Sequence, residues 1–250
     1  MQIELELLIC PNCGEKYCND YMLSGNTIGA IYYSDGKCDA PMLHSSVVII
    51  KCAGCKQFVW VRDMKKAEVP PLEMEESTSD KMLSWDNEEE EMEWFKKELA
   101  KKEKERNHRW KSITEQGMPT KSLTLQEFAE ALVANIAKNK EDERYLRLNI
   151  WRLFNDRIRD LCGEPTESHL WKNEEEKKLW DENLEALYEL LDASKTDERL
   201  MRAEICRARG RFGRAIEILD SITDTEFQQP VQWMRRHCQD SDPFVFVLPR

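Results

Sequence analysis

Two pairs of cysteines are the residues of this 250-residue chain whose type and spacing best suit a chemical role. They occur as Cys10-Pro-Asn-Cys13 and Cys52-Ala-Gly-Cys55. Four thiolates presented by two Cys-x-x-Cys pairs satisfy the tetrahedral coordination of a closed zinc site. We therefore expect one structural Zn²⁺ ion bound by all four cysteines. Gly14 follows the first pair directly and suits the tight turn that such a site requires.

Catalytic or redox use of these cysteines has less support from the sequence. Thioredoxin-like chemistry uses a single Cys-x-x-Cys pair before a helix. A catalytic zinc site keeps an open coordination position and a nearby general base, and none of the four histidines starts the His-x-Glu motif of zinc deaminases. Glycine-rich phosphate loops, nucleophile elbows and His-Glu-x-x-His motifs are missing as well. The sequence therefore favours a protein that is not an enzyme.

The remaining cysteine and histidine residues between the two pairs are Cys18, Cys38 and His44. They form a second metal site only if a fourth ligand joins them, so we expect Cys18 and Cys38 to be free thiols or packing residues. Nine cysteines in a chain without a recognisable signal peptide indicate metal ligands and free thiols instead of disulfides. No stretch approaches the length of an apolar membrane span. We expect a cytoplasmic protein that makes no membrane contact.

Six arginines late in the chain are the second group with a chemical role. They are Arg199, Arg202, Arg207, Arg209, Arg211 and Arg214, with Arg235 and Arg236 beyond them. Only three acids, Asp197, Glu198 and Glu204, lie in the same stretch of sequence, residues 197–214. One hypothesis pairs the arginines with the acidic helix predicted over residues 174–192. The other makes them a surface for an anion or an acidic partner.

Overall charge limits the nucleic-acid hypothesis. The chain has a net charge of −11 and a pI of about 5.1, so it is repelled by phosphate backbones unless a local basic patch is present. Residues 1–66 contain seven bases and seven acids, whereas a nucleic-acid-binding ribbon is expected to be basic. The arginine cluster remains the best candidate for phosphate contacts.

The elements that must position the cysteines are short strands. Alternating apolar and acidic residues predict a strand over Ile3–Ile9, and β-branched runs predict others over Ile28–Tyr33, Val47–Ile50 and Phe58–Val61. Each cysteine pair then lies between an incoming and an outgoing strand, which is the layout of a zinc ribbon. The long gap between the pairs indicates an inserted hairpin or loop over about residues 18–44.

A charge-rich segment follows the ribbon. Glu88–Glu91 precede Lys96-Lys97 and Lys101-Lys102 at near-helical spacing, which predicts a solvated helix. A thin apolar stripe is predicted at residues 85, 92, 95 and 99. This helix is either a lightly docked connector or a partner-binding helix that presents Trp94 and Phe95.

The apolar tail, residues 243–249, is predicted either to dock as an edge strand or to bind a partner by strand addition.

Residues 121–240 predict one helix after another. Thr124-Leu-Gln-Glu127 is a capping box, and further helices are predicted from about Asp142 to 161, after Asn173, from Thr196 to Gly210, from 212 to 221, and at Pro230. An internal repeat has an offset of 55 residues: the pattern Lys-x-Asp-Glu-Arg-x-x-Arg-x-x-Ile-x-Arg occurs at 140–152 and again at 195–207. Such a repeat indicates stacked helical hairpins.

Residues 197–228 resemble a tetratricopeptide repeat. The residues that carry the resemblance are Ala203, Gly210, Phe212, Ala215, Ile216 and Leu219. The resemblance implies two closely packed helices that present a surface to another protein. The first copy departs from the pattern, because Asn155-Asp156 replaces the turn glycine.

The segment 24–42 resembles zinc-ribbon segments of uncharacterised bacterial proteins. The residues that carry this resemblance are Ser24-Gly-Asn-Thr-Ile-Gly-Ala30, Ser34-Asp-Gly36 and Ala40-Pro-Met42. The resemblance implies no activity.

The sequence as a whole predicts an α+β, mostly α protein with four parts. These are a zinc-ribbon domain (1–67), a charged connector with a helix (68–120), a helical-repeat domain (121–240) and an apolar tail (241–250). We expect a non-catalytic protein–protein interaction or adaptor protein with one structural zinc ion. The alternative is a nucleic-acid-binding protein that uses the 199–214 arginine cluster. A homo-oligomer is compatible with either hypothesis.

Overall fold

A computed structural model describes residues 2–43, 46–68, 88–159, 161 and 163–249. Its element content confirms the predicted α+β, mostly α class. None of the helices in this described part is long and apolar enough to cross a membrane. The chain forms two compact units. The ribbon unit comprises Met1–Gly25 and His44–Ser122, and the helical unit comprises Asn26–Leu43 and Leu123–Arg250.

The described residues contain nine strands, most of them short. In chain order they are β1 (Gln2–Ile9), β2 (Lys16–Ser24), β3 (Ile31–Tyr33), β4 (Cys38–Asp39), β5 (Ile49–Lys51), β6 (Phe58–Trp60), β7 (Lys65–Lys66), β8 (Met118–Pro119) and β9 (Val247–Leu248). The predicted strands that flank the cysteine pairs are present as β1, β5 and β6, with ends shifted by one or two residues.

The same residues contain eight α-helices. In chain order they are α1 (Glu88–Gln116), α2 (Leu125–Val133), α3 (Lys140–Arg159), α4 (Glu167–Leu170), α5 (Glu174–Leu190), α6 (Thr196–Ala208), α7 (Phe212–Asp220) and α8 (Gln228–Gln239). Short 3₁₀ turns cover Val61–Asp63 and Thr225–Phe227. The predicted helices are confirmed, and α4 is an addition, since a four-residue helix carries no periodic signal.

The ribbon unit is built on a sheet with strand order β7-β1-β2-β8 and a separate hairpin of β5 and β6. The insertion predicted over about residues 18–44 as a hairpin or loop contains the antiparallel pair of β3 and β4. Its first residues instead belong to β2, which pairs antiparallel with β1 along its length. The sequence of β2, Lys-Tyr-Cys-Asn-Asp-Tyr-Met-Leu-Ser, lacks a clear alternation. Asn19 is buried on it, with its side chain bonded to Glu6 and Thr120. Strand pairing therefore decides a conformation that local pattern does not.

The C-terminal end of α1 packs on this sheet. Ile113 is fully buried, and α1 contacts both β1 and β2. Gly117 follows the helix where the chain passes close to β2. A Cβ atom at this position would lie 2.6 Å from the Cys18 backbone nitrogen and 2.7 Å from Leu7 Cδ1. Only glycine therefore allows this close approach.

The helical unit consists of helices that pack on one another in chain order. Contacts join α2 to α3, α3 to α5, α5 to α6, α6 to α7 and α7 to α8. The Thr124 capping box is confirmed, with Thr124 N donating to Glu127 Oε2 at 2.9 Å and Glu127 N donating to Thr124 Oγ1 at 3.3 Å. Both halves of the predicted repeat contain helix, break and helix: α2 and α3 in the first, α5 and α6 in the second.

Residues 26–43, which separate the two cysteine pairs in sequence, belong to the helical unit. Strand β3 pairs with β4 on one side and with β9 on the other, so the C-terminal tail docks as an edge strand. This division differs from the predicted boundaries at 67, 120 and 240. The reason is the turn Ser34-Asp35-Gly36, whose polar groups bond to α3 and α6.

Candidate functional site

The two Cys-x-x-Cys loops have the same backbone geometry. In the first, Cys10 N donates to Glu15 O at 2.8 Å and Gly14 N donates to Cys10 O at 3.0 Å. In the second, Cys52 N donates to Gln57 O and Lys56 N donates to Cys52 O, both at 2.8 Å. Gly14 and Lys56 occupy equivalent positions with φ of +79° and +62°. Gly14 adopts this conformation freely, whereas Lys56 bears the steric cost of its Cβ.

The four cysteine sulfurs converge on one point. All four Sγ atoms of Cys10, Cys13, Cys52 and Cys55 lie within 4.8 Å of one another. The Cys10–Cys55 and Cys13–Cys52 Sγ separations are 3.9 and 3.5 Å. A tetrahedral zinc ion with Zn–S bonds of about 2.3 Å requires sulfurs about 3.8 Å apart. The geometry therefore fits a single metal ion with four sulfur ligands.

Tyr17 supports the cluster from strand β2. Its buried hydroxyl donates to Cys52 Sγ at 3.3 Å and accepts from Ala53 N at 2.7 Å. Burial opposes ionisation of Cys52, but hydrogen bonds from Tyr17 and from the amides of Cys55 and Gly54 outweigh it and lower the Cys52 pKa to about 6. Burial raises the pKa of Cys10 to about 12. Hydrogen bonding therefore favours the thiolate, the ligating form, at Cys52.

Cys18 and Cys38, two of the other candidate metal ligands, do not join this cluster. Cys18 lies on β2 of the ribbon unit, and its pKa is raised by burial. Cys38 is exposed on β4, which belongs to the helical unit. His44 lies outside the described residues. Tyr17 was not identified from the sequence, because a tyrosine three positions after a glycine carries no signal until strand pairing brings it back to Cys52.

Arg207 does not belong to a binding surface. Its side chain is fully buried and bonds Glu204 with Nε at 2.7 Å and Nη2 at 2.5 Å. It also donates to the backbone carbonyls of Asp242 and Phe244. This arginine therefore stabilises the C-terminal segment. The prediction that Arg207 belongs to an anion-binding surface is wrong, because its side chain is buried.

The contacts of Arg209 and Arg211 agree with the hypothesis that arginines of this cluster pair with the acidic helix over residues 174–192. Both contact Glu185 on α5, Arg211 at 3.3 Å. One carboxylate therefore offsets part of the charge of two guanidinium groups. The two guanidinium groups and their shared carboxylate leave one net positive charge on this part of the helical unit.

The remaining three arginines, Arg199, Arg202 and Arg214, line one pocket of about 260 Å³. Tyr188, Ala193, Glu217, Ile218 and Ser221 complete its wall. Three guanidinium groups and one carboxylate leave an excess of two positive charges. We refer to these residues as the arginine pocket.

Each arginine of the pocket is held by its surroundings. Arg202 lies over the Tyr188 ring at 4.1 Å and donates to Leu191 O at 3.3 Å. Arg199 donates to Ser221 O at 3.2 Å, and its buried Nε has no hydrogen-bond partner among the described residues. Arg214 pairs with Glu217 at 2.7 Å. The three positive charges are thus preorganised, which lowers the entropic cost of binding an anion.

Two arginines at equivalent positions of the 55-residue repeat hold the turn at residues 34–36. Arg152 Nη2 donates to Gly36 O at 2.7 Å, and Arg207 Nη2 lies 3.5 Å from Ser34 Oγ. Both are structural. Among the described residues, the candidate sites are the arginine pocket and the cysteine cluster. No known protein family, curated protein or solved structure matches this chain.

Proposed function

We propose that this chain is a non-catalytic protein-binding protein that holds a structural zinc ion and binds an acidic segment of another protein through the arginine pocket. The observation that carries the proposal is the convergence of Arg199, Arg202 and Arg214 on one pocket with excess positive charge. Guanidinium groups match the geometry of carboxylates, which they bind through paired N–H donors.

Zinc is the metal that best suits the cysteine cluster. Four thiolates in a near-tetrahedral arrangement select zinc or iron–sulfur chemistry over hard cations, and two mirrored loops of this kind are typical of structural zinc. Bound to four sulfurs, the ion has no open position for water, so its role is to stabilise the ribbon unit. Thiolate ligands persist in a reducing compartment, which supports a cytoplasmic location.

The packing of α6 and α7 supports an interaction role of the tetratricopeptide kind. Ala203 and Ala215 are fully buried between these helices, so the helices approach closely. Gly210 has a φ of +69° in the turn that joins them. Phe212 packs against the same cluster, and Leu219 is part of it. Paired helices of this kind present side chains such as Arg202 and Arg214 at fixed spacing.

An acidic protein segment is favoured over nucleic acid as the ligand. A phosphate backbone needs several free bases along one face. Burial of Arg207 and the pairing of Arg209 and Arg211 with Glu185 reduce the free charge of the cluster. A compact pocket with two excess charges suits one or two carboxylates better than a polyanion.

Fluorescence anisotropy with a labelled hexaglutamate peptide tests this proposal. Binding is expected in low-salt buffer and is expected to weaken with added salt. Arg214→Glu is expected to weaken binding about tenfold or more, equivalent to about 1.4 kcal/mol. Arg236→Glu is the matched control, because Arg236 is also exposed but does not line the pocket.

Three outcomes contradict the proposal. Equal losses in Arg214→Glu and Arg236→Glu would indicate general charge attraction instead of a site. Lack of peptide binding at any salt concentration would exclude the pocket as an acidic-segment site. Tighter binding of a labelled single-stranded RNA than of the peptide, sensitive to Arg214→Glu, would favour the nucleic-acid alternative.

A further inference from the structure

A small pocket lies beside the second cysteine loop, within the ribbon unit. Its volume is about 200 Å³. The residues that line it are Tyr17, Ile50, Lys51, Ala53, Met118, Pro119 and Lys121. We refer to this space as the ribbon pocket. It is distinct from the arginine pocket, which belongs to the helical unit.

The ribbon pocket has an apolar floor and a charged rim. Tyr17 and Ile50 are 4% and 2% exposed, so their side chains form the inner wall. Met118 is exposed and adds apolar atoms nearer to solvent. Lys121 is exposed as well, and Lys51 is partly exposed. An apolar interior therefore lies next to two lysine side chains.

Hydrogen bonds of the fold fix the walls of the ribbon pocket. The Tyr17 hydroxyl accepts from Ala53 N at 2.7 Å and donates to Cys52 Sγ at 3.3 Å. Met118 pairs with Tyr17 in the parallel pair of β8 and β2, and Ile50 is the central residue of β5, which pairs with β6. A ligand therefore meets a preformed space, and little of its affinity is lost to ordering of the walls.

The volume of the ribbon pocket suits a small apolar body. A cavity of about 150 Å³ in a protein core is sufficient to bind benzene. The larger volume of the ribbon pocket accepts a body of similar size together with a small polar head group. Sites for small ligands commonly combine apolar walls with a few polar groups that fix the orientation of the ligand.

The charge of the ribbon pocket selects an anionic head group. Among the described residues that line it, two are lysines and none is an acid. No described residue forms an ion pair or a hydrogen bond with the Lys121 side chain. Glu15 approaches the second cysteine loop at Gly54, where Oε2 lies 3.3 Å from the Cβ position, but it does not line the pocket. A negative charge at the rim is therefore favoured over a positive one.

We propose that the ribbon pocket binds a small monocarboxylate whose apolar chain has about six carbon atoms. The chain packs against Tyr17 and Ile50 and is removed from water, which is favourable in proportion to its apolar area. The carboxylate lies at the rim beside Lys121, with Lys51 as the second cation. Binding of an acidic segment at the arginine pocket is a separate matter, so failure of either proposal leaves the other in place.

Two-dimensional ¹H–¹⁵N NMR of the full chain, purified in the presence of zinc, tests the proposal by titration with sodium hexanoate. Saturable shifts are expected at the amides of residues 17, 50–53 and 118. The alcohol 1-hexanol keeps the chain but lacks the charge, and it is expected to bind at least about threefold more weakly. Acetate lacks the chain and is expected to produce no saturable shift at these amides.

A lysine substitution tests the role of the rim. Lys121→Gln is expected to raise the dissociation constant of hexanoate at least about threefold and to leave that of 1-hexanol unchanged, because only the charged ligand uses this group. Lys111→Gln is the matched control, since Lys111 is an exposed lysine of the same unit that does not line the pocket. This control is expected to bind hexanoate like the wild type.

Four results would overturn the proposal. The first is a titration with hexanoate that produces no saturable shift at the pocket amides, including one whose saturable shifts occur only at residues 199–221 of the arginine pocket. The second is binding of 1-hexanol as tight as that of hexanoate. The third is unchanged hexanoate affinity in Lys121→Gln. The fourth is an equal loss in Lys121→Gln and Lys111→Gln, which would indicate general charge attraction instead of a site.

Discussion

Asp35 and Arg159 form an ion pair in the helical unit from which solvent is almost wholly excluded: the two side chains are 0% and 3% exposed. Asn155 Nδ2 donates to Asp35 Oδ2 at 2.7 Å, and the Arg159 guanidinium lies over the Tyr33 ring at 4.3 Å. The turn Ser34-Asp35-Gly36 thereby anchors the hairpin of β3 and β4 to α3.

Removal of the Asp35 charge is expected to destabilise the helical unit strongly. Asp35→Ala leaves Arg159 buried with only the half-exposed Asp156 as a counter-charge, and the loss of one partner of a buried pair costs about 3–5 kcal/mol. Urea unfolding followed by circular dichroism measures the change. Asp39→Ala is the control, since Asp39 is exposed on the same hairpin and its loss is expected to cost less than about 1 kcal/mol. Equal effects of the two substitutions would contradict the anchoring role.

Removal of one ligand of the cysteine cluster is expected to abolish metal binding. Cys52→Ser leaves three thiolates, and the amides that define the second loop, Cys52 N and Lys56 N, lose their protection from hydrogen exchange because metal binding and folding are coupled. Elemental analysis is expected to find one zinc per chain in the wild type and in Cys38→Ser, the control. Metal retained in Cys52→Ser with unchanged amide protection would contradict the four-sulfur site.

Gly117→Ala is expected to destabilise the ribbon unit by about 2 kcal/mol or more, because the new methyl group meets the β2 backbone at 2.6 Å. Thermal unfolding measures the shift. Gly213→Ala is the matched control: nothing lies within 4 Å of its Cβ position on α7, and alanine is favoured over glycine in a helix by up to about 1 kcal/mol. The two substitutions are thus expected to have opposite signs, and the same sign would contradict the close approach.

Glu176 is expected to make stability depend on acidic pH. The paired hydrogen bonds from Arg157, at 2.6 and 2.9 Å, lower its pKa to about 2, below the unfolded value of about 4.3. The unfolded state therefore binds more protons, so the contribution is complete above about pH 5 and is lost as pH falls towards 2. Unfolding free energies of the wild type and Glu176→Gln should differ at pH 7 and converge near pH 2. A difference that does not change with pH would exclude this linkage.

Local patterns were sufficient for the elements that depend on near neighbours. The capping box at Thr124, the Asn173 cap of α5 and the glycine turn at Gly210 each involve residues a few positions apart, so their types and spacing specify the structure. The alternation in β1 is equally local. These features explain why the helix order and the mostly α class followed from the sequence.

The conformation of β2 and the surroundings of the six arginines depend on tertiary contacts that the sequence does not show. The paired β1 strand specifies β2, although the β2 sequence has no strong alternation of its own. The six arginines look alike in sequence, yet one is buried against Glu204, two pair with Glu185 and three line a pocket. The charge of a side chain is a local property, but the dielectric and the counter-charges around it are not.

The sequence by itself determined which residues can hold a metal ion, because two Cys-x-x-Cys loops are local structures with a fixed ligand geometry. It also determined the helices, through caps and periodicity. Only the tertiary structure decided that residues 26–43 belong with the helices and which arginines line a pocket. Asp35 is buried against Arg159, 124 residues away. Arg207 is buried against Glu204 on the same helix and against the backbone carbonyls of Asp242 and Phe244. Such burial reflects desolvation and pairing across the fold, which no short stretch of sequence encodes.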